Sequence, residues 1–188
     1  MDDQDLKSVN LAGYNSDWYK PGAGLFKRVI WYITNALLFN SSLLSCSALK
    51  CVLLRLFGAS IGKNVVIKPL VKIKYPWNLV IGDNVWIGEG VWIDNLAVVD
   101  IGNNICISQD AYLLTGNHDY KDENFGLIVS GIKINDGAWL CARTVTCPDV
   151  TVASNTIVTT GSVLSQSTEA NGIYRGNPAK YIKARKFN

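Results

Sequence analysis

The sequence predicts an all-β solenoid, a parallel β-helix of hexapeptide repeats, and three observations carry that reading. Apolar residues recur at intervals of six as Ile61, Ile67 and Ile73, then Ile81, Ile87 and Ile93, then Ile101, Ile107 and Leu113. After a gap the series resumes with Ile134, Leu140, Thr146, Val152, Val158 and Leu164. A second apolar or small residue stands four places after most of these anchors: Val65, Val71, Val85, Val91, Ala97, Ile105, Ala111, Ala138, Thr144, Val150, Thr156 and Ser162. Gly62, Gly82, Gly88 and Gly102 directly follow their anchors, where a tight corner favours a residue without a Cβ. A six-residue period matches neither a helix nor a free alternating strand; a fixed repeat of this kind means stacked turns.

Three hexads complete one coil of a triangular prism with its anchors pointing inward, and near fifteen hexads make about five coils. The steps from Ile73 to Ile81 and from Ile93 to Ile101 are each two residues too long. Leu113 to Ile134 reads as a full coil of eighteen with three residues more, so a loop around 115–132 leaves the prism there. Several late corners replace glycine with Cys141, Cys147, Ala153, Thr159 and Ser165, which keeps them small. The chain therefore divides into an N-terminal extension and helical region (1–57), the β-helix (58–170), and a C-terminal tail with a short helix (171–188).

The N-terminal region contains a run from Val29 to Leu49 of 21 residues without a charge, long enough for a membrane span. Its many Asn, Ser and Thr residues, and the Asn40-Ser41-Ser42 cluster, point instead to two shorter helices packed on the prism or on a neighbouring subunit. Peripheral contact with the inner face of the cell membrane stays open. Asp2, Asp3 and Asp5 stand where a secretory signal would be basic. Five cysteines, an odd number placed mostly in the repeats, read as reduced thiols of a cytoplasmic protein. A net charge of +3 with scattered basic residues gives no case for nucleic acid. One histidine and no CxxC pair leave a zinc site without ligands at suitable spacing.

That histidine, His118, lies in Thr115-Gly116-Asn117-His118-Asp119-Tyr120, where the repeat is broken. Loops leaving a rigid scaffold carry binding and catalytic groups, although a plain surface histidine is an equal reading from position alone. The imidazole would need a carboxylate or a backbone carbonyl on its second nitrogen; Asp119 and Asp94 are the carboxylates at hand. Asn95 lies one coil earlier, where its amide either orients a substrate or simply forms a turn.

The repeats, the loop and the ending Gly176-Asn177-Pro178-Ala179-Lys180 together resemble the acyltransferases of the left-handed β-helix superfamily. Ile101-Gly102 followed by His118, and the run Ile134-Asn135-Asp136-Gly137-Ala138-Trp139-Leu140, are similar to galactoside and maltose acetyltransferases. Trp18-Tyr19-Lys20-Pro21-Gly22, Trp92-Ile93-Asp94-Asn95-Leu96 and His118-Asp119-Tyr120 look most like acetyltransferases of colanic acid and other exopolysaccharide biosynthesis. The resemblance implies acetyl-CoA-dependent O-acetylation of a saccharide by a homotrimer with sites between subunits and no metal. It makes His118 the general base and puts Asp94, Asn95 and Asp119 on the acceptor side. It puts Trp139, Ala142, Thr160, Arg175, Lys180 and Lys183 along the CoA arm. An N-acetyltransferase of a nucleotide-linked amino sugar and a non-catalytic scaffold are the alternatives. The related γ-type carbonic anhydrases need three metal-binding histidines, which a chain with one does not supply.

Overall fold

In the computed structural model, which describes residues 8–187, the repeats wind into a prism with three parallel sheets. The acidic start with Asp2, Asp3 and Asp5 lies outside the described residues. The first face stacks Ser60–Ile61, Leu79–Ile81, Val99–Ile101, Ile132–Ile134 and Thr151–Val152. The second stacks Val66–Ile67, Trp86–Ile87, Cys106–Ile107, Trp139–Leu140 and Ile157–Val158. The third stacks Lys72–Ile73, Trp92–Asp94, Tyr112–Leu114, Val145–Thr146 and Val163–Leu164. Registers are in step throughout, for example Ile87 on Ile107 and Ile107 on Leu140. A side chain turned inward on one coil is therefore turned inward on all.

Every anchor from Ile67 onward is buried, as is almost the whole second line. Ala97 is the exception: in the lengthened step it swings outward, and Val99 takes the inward place just before Ile101. Burying each aliphatic anchor contributes about 1.5–3 kcal/mol. Thr146 sits in this column with its hydroxyl buried and unpartnered. Leaving such a group unsatisfied costs about 1–3 kcal/mol, so Thr146→Val should raise stability by about 1 kcal/mol. A higher denaturant midpoint at unchanged m-value would show this; a lower midpoint would contradict it.

The corners correct one expectation. The residue in the left-handed region is the third after the anchor, as at Asn64, Asn84, Asn104 and Asn155, not the glycine that follows it. Gly82 and Gly88 are needed for close approach: a Cβ on either would lie 2.7 Å from backbone of the next coil. Corner side chains knit the coils, with Asn64 donating to Asn84 at 3.0 Å and Asp136 accepting the backbone N–H of Asn103 at 2.8 Å. The backbone and side-chain N–H groups of Asn103 hold the Asp136 carboxyl below its ordinary range.

Two further corrections concern length and ending. Ile134 pairs directly with Ile101, so Leu113 and Ile134 are consecutive anchors and the whole excess between them is loop, with no hidden coil. Among the described residues the chain forms strands, not the expected short helix, at its C-terminal end. Residues Gly172–Gly176 add a sixth rung to the second face, pairing Ile173 with Ile157, and Ala179–Ala184 returns antiparallel beside it. Alternation of Ile173 with the buried Tyr174, and the capacity of the open rung at Ile157–Val158 to accept another strand, favour extended chain there.

At the opposite end of the prism, α1 (Leu25–Thr34) and α2 (Ser47–Leu56) close the first coil, separated by a break at 40–46. An open solenoid end exposes unpaired backbone groups, and polar side chains of the helices meet them. Trp31 Nε1 donates to Ile73 O at 2.9 Å, and Ser47 Oγ meets both N and O of Ile67. The buried Lys50 ammonium donates to Lys68 O at 2.8 Å, its pKa lowered by burial, and Arg55 reaches Ile61 and Gly62 carbonyls. Trp31, Phe39, Cys51 and Leu54 fill the space between helices and coil.

Candidate active site

The loop leaves the prism at Thr115, which is fully buried. Its Oγ1 donates to Asp94 O at 2.8 Å and accepts the Ala97 N–H at 3.1 Å, fastening the exit to the coil below. Beyond it Gly116–His118 pairs antiparallel with Leu127–Val129, so the extruded loop is a hairpin. Its tip is laced by Asp122, whose carboxylate accepts the N–H groups of Asn124 and Gly126, and by Asp119, which accepts the Lys121 N–H.

His118 Nδ1 lies 2.8 Å from the carbonyl oxygen of Phe125. A carbonyl only accepts, so Nδ1 carries a proton, and in the neutral ring the lone pair then lies on Nε2. The Phe125 ring stacks on the imidazole with centroids 4.1 Å apart and 12° between planes. Tyr14 meets its edge at 5.7 Å. Phe125 itself has φ of 58°, a conformation costly for a bulky side chain, and strain of that kind gathers at sites where position matters. The N-terminal strap arrives here by contacts far apart in sequence: Asn10 N–H to Glu123 O at 2.7 Å, Tyr19 Oη to Leu96 O at 2.8 Å, and Trp77 Nε1 to Pro21 O at 2.6 Å.

Neither Asp119 nor Asp94 orients His118; the Phe125 carbonyl does. Asp119 is spent on its own turn. Asp94 ends the strand paired with Leu114, is largely buried, and holds Lys74 Nζ at 2.9 Å and Tyr112 Oη at 3.3 Å. It borders an apolar cleft of about 510 Å³ between α1 and the third face, whose rim includes Arg28, Lys74, Tyr75 and Trp92. Asn95 corrects the expectation of a substrate contact. It is fully buried, accepts the Tyr75 N–H at 2.9 Å and donates to Tyr75 O at 2.6 Å and Asn78 O at 3.2 Å. Its amide clamps the lengthened turn, which is the turn-forming reading.

Burial first, then the Asp94 charge and hydrogen bond, push the Tyr112 phenol up to about 12. Burial, with Tyr75 and Asp94, does the same for Tyr19. An acid whose folded pKa is raised keeps its proton after the unfolded chain has lost it. Stability is therefore full below about pH 10 and falls as pH climbs from there towards about 12. Tyr112→Phe should flatten that alkaline limb in denaturant titrations; an unchanged limb would assign the loss elsewhere.

The expected CoA residues gather at another edge. Trp139 is exposed on the second face with its indole N–H on Ser108 Oγ at 2.9 Å. Ala142 and Thr160 follow at the corner between the second and third faces in successive coils, where Ala142 O already accepts the Gly161 N–H. Arg175 faces Lys180 across the C-terminal strand pair and Lys183 pairs with Ile173, all three exposed. His118 stands instead at the edge where the third face gives way to the first. Sequence reasoning missed Tyr14 and Phe125; the strap carries no period, and only the Leu127–Val129 run hinted at a returning strand. Among the described residues no group of three or more His, Cys, Asp or Glu could hold a metal ion.

Comparison with known proteins turns this geometry into a family. No protein-family model matches the chain. It is 39% identical over 176 residues to WcaF of Escherichia coli K12, named for acetyl transfer in colanic acid biosynthesis, covering 94% of this chain and 97% of that protein. The chain is a hexapeptide-repeat acetyltransferase. The galactoside O-acetyltransferase of the same organism is 27% identical over 66% of this acetyltransferase and 63% of its own length. A hexapeptide-repeat acetyltransferase of Vibrio cholerae, solved with acetyl coenzyme A, superposes with a TM-score of 0.80 at 22% identity, covering 94% and 96% of the two chains. The prism is thus a left-handed β-helix of the acyltransferase type, with His118 on the hairpin extruded between Leu113 and Ile134.

Proposed function

We propose that this acetyltransferase moves the acetyl group of acetyl-CoA directly to a hydroxyl of a saccharide in exopolysaccharide biosynthesis, with His118 as general base. The observation that carries the reading is the fixed tautomer: Phe125 O holds Nδ1–H, so Nε2 is the basic nitrogen. A sugar hydroxyl is a poor nucleophile at neutral pH. Nε2 takes its proton as the oxygen bonds to the thioester carbonyl carbon, the carbon–sulfur bond breaks, and the proton passes from Nε2 to the departing thiolate. The imidazolium that forms between these steps is stabilised by the Phe125 carbonyl dipole. Backbone amides at coil corners would meet the developing oxyanion.

The WcaF likeness and its name support the exopolysaccharide role. The acetyl coenzyme A of the Vibrio protein supports the donor. Trp139, Ala142, Thr160, Arg175, Lys180 and Lys183 would border the donor arm. Asp94 and the aromatic rim of its cleft would serve the acceptor, whereas Asp119 acts through loop shape. His118 and the donor residues occupy different edges of one prism, which supports a homotrimer in which a neighbour's donor edge closes on this chain's hairpin. The setting is cytoplasmic, where acetyl-CoA is supplied. No described helix is long and apolar enough to cross a membrane.

The test is thiol release from acetyl-CoA across exopolysaccharide fragments, lipid-linked oligosaccharides and nucleotide-linked amino sugars. Turnover with the first two classes, giving an alkali-labile ester, is expected. Turnover with amino sugars alone would make the protein an N-acetyltransferase, and none with any acceptor would leave a scaffold.

A further inference from the structure

The two helices that close the first coil bury Trp31, Cys51 and Leu54 against it beside inward polar groups, and carry further apolar residues on their outer side. Trp31 in α1 and Asn35 just past its end turn towards the prism to meet Ile73, and Lys27 turns to the Trp77 ring at 5.2 Å. The outer side presents Phe26 and Ile33, followed past the helix end by Leu37, with Phe26 80% exposed, while Leu25, Val29 and Tyr32 line the cleft that Asp94 borders. In α2, Lys50 turns inward while Leu49, Val52 and Leu56 face out. Leu43, at the turn between the helices, is 93% exposed. Inward polarity is explained by the backbone groups of the open coil. Among the described residues nothing covers these exposed apolar side chains, and a cluster of them on a folded protein marks a contact surface.

We infer that this face is a membrane-surface anchor that seats the end of the prism on an anionic lipid bilayer. Charge selects the occupant. From Trp18 to Gly82 every charged side chain is lysine or arginine, while the chain as a whole carries only +3. Lys27, Lys50, Arg55 and Lys74 are held against the protein, and Lys20, Lys63, Lys68 and Lys72 stay exposed. A basic, acid-free segment bearing exposed Leu, Phe and Tyr matches an anionic interface, into which such helices sink their apolar side. Position agrees. The helices pack on the first coil, and Phe26, Ile33, Leu43 and Leu56 stay exposed there. Both helices are too short to cross, which makes the contact monotopic.

The test is co-sedimentation of the full chain with vesicles of phosphatidylcholine and phosphatidylglycerol, and with phosphatidylcholine alone, run beside its oligomeric mass. Binding to the anionic vesicles is expected, weakened by salt as the basic segment is screened. The double variant Phe26→Glu with Leu43→Glu should lower vesicle binding more than about tenfold while keeping its melting temperature and mass, since both side chains are solvent-exposed. Wild-type protein that ignores both vesicles, or a variant that binds as wild type does, would overturn the inference. A variant that loses its oligomeric mass while wild type ignores lipid would give the face to a second copy instead.

Discussion

Replacing His118 with alanine should lower acetyl transfer by about 10²–10⁴-fold, the usual contribution of a positioned general base. The fold should survive, because the imidazole is half-exposed on the hairpin and contributes to no coil of the prism. On the proposed mechanism the ring serves the acceptor hydroxyl and the proposed donor contacts lie on another edge, so the defect should fall on turnover more than on the KM for acetyl-CoA. Losing Tyr14 should cost less, because it meets only the ring edge at 5.7 Å while the Phe125 carbonyl still fixes the tautomer. A purified His118→Ala protein with unimpaired turnover would remove the histidine from the chemistry. A variant that no longer melts cooperatively would instead show the loop to be structural.

What the sequence made legible follows from periodicity. Ile67 through Leu164 were readable as a core because each anchor repeats one environment, stacked in register on its counterpart a coil away. His118 was readable for the opposite reason, as the one imidazole, placed at the longest break in the period. The partners of His118 were not readable. Phe125 acts through a backbone carbonyl, which no residue type announces, and Tyr14 arrives from a strap joined to the loop by contacts such as Asn10 to Glu123. The C-terminal residues misled because Lys180, Lys183, Arg185 and Lys186 look like a solvated helix. An unpaired strand edge at Ile157–Val158 outweighed local preference there and drew the chain into the sheet.

The outward apolar face of the helices and the inward polar one have a common origin. A solenoid must finish its last open coil with hydrogen-bonding groups, and short helices can supply them only by turning Trp31, Asn35, Ser47, Lys50 and Arg55 towards the prism. With those positions so used, Leu54 still packs inward but Phe26, Ile33, Val52 and Leu56 are left outside. The same device that ends the β-helix therefore leaves exposed apolar side chains near the cleft that Asp94 borders.

Asn95→Ala should destabilise the protein by about 2–4 kcal/mol, the second-largest effect expected from a single change. The amide is fully buried and serves Tyr75 N, Tyr75 O and Asn78 O together. Removing it strands backbone groups in a site without room for solvent, each at about 1–3 kcal/mol. Asn95→Asp separates hydrogen bonding from volume. A carboxylate still accepts the Tyr75 N–H but cannot donate to two carbonyls, and it sets a charge against their oxygens, so it should be at least as damaging as alanine. The turn so loosened also carries the Leu96 carbonyl that holds Tyr19, and Leu96 lies against Gly116 at the root of the hairpin. Turnover should therefore fall modestly with stability, without a selective rise in acceptor KM. Denaturant midpoints and acceptor titrations on both variants decide it: unchanged midpoints with a raised acceptor KM would return Asn95 to the substrate.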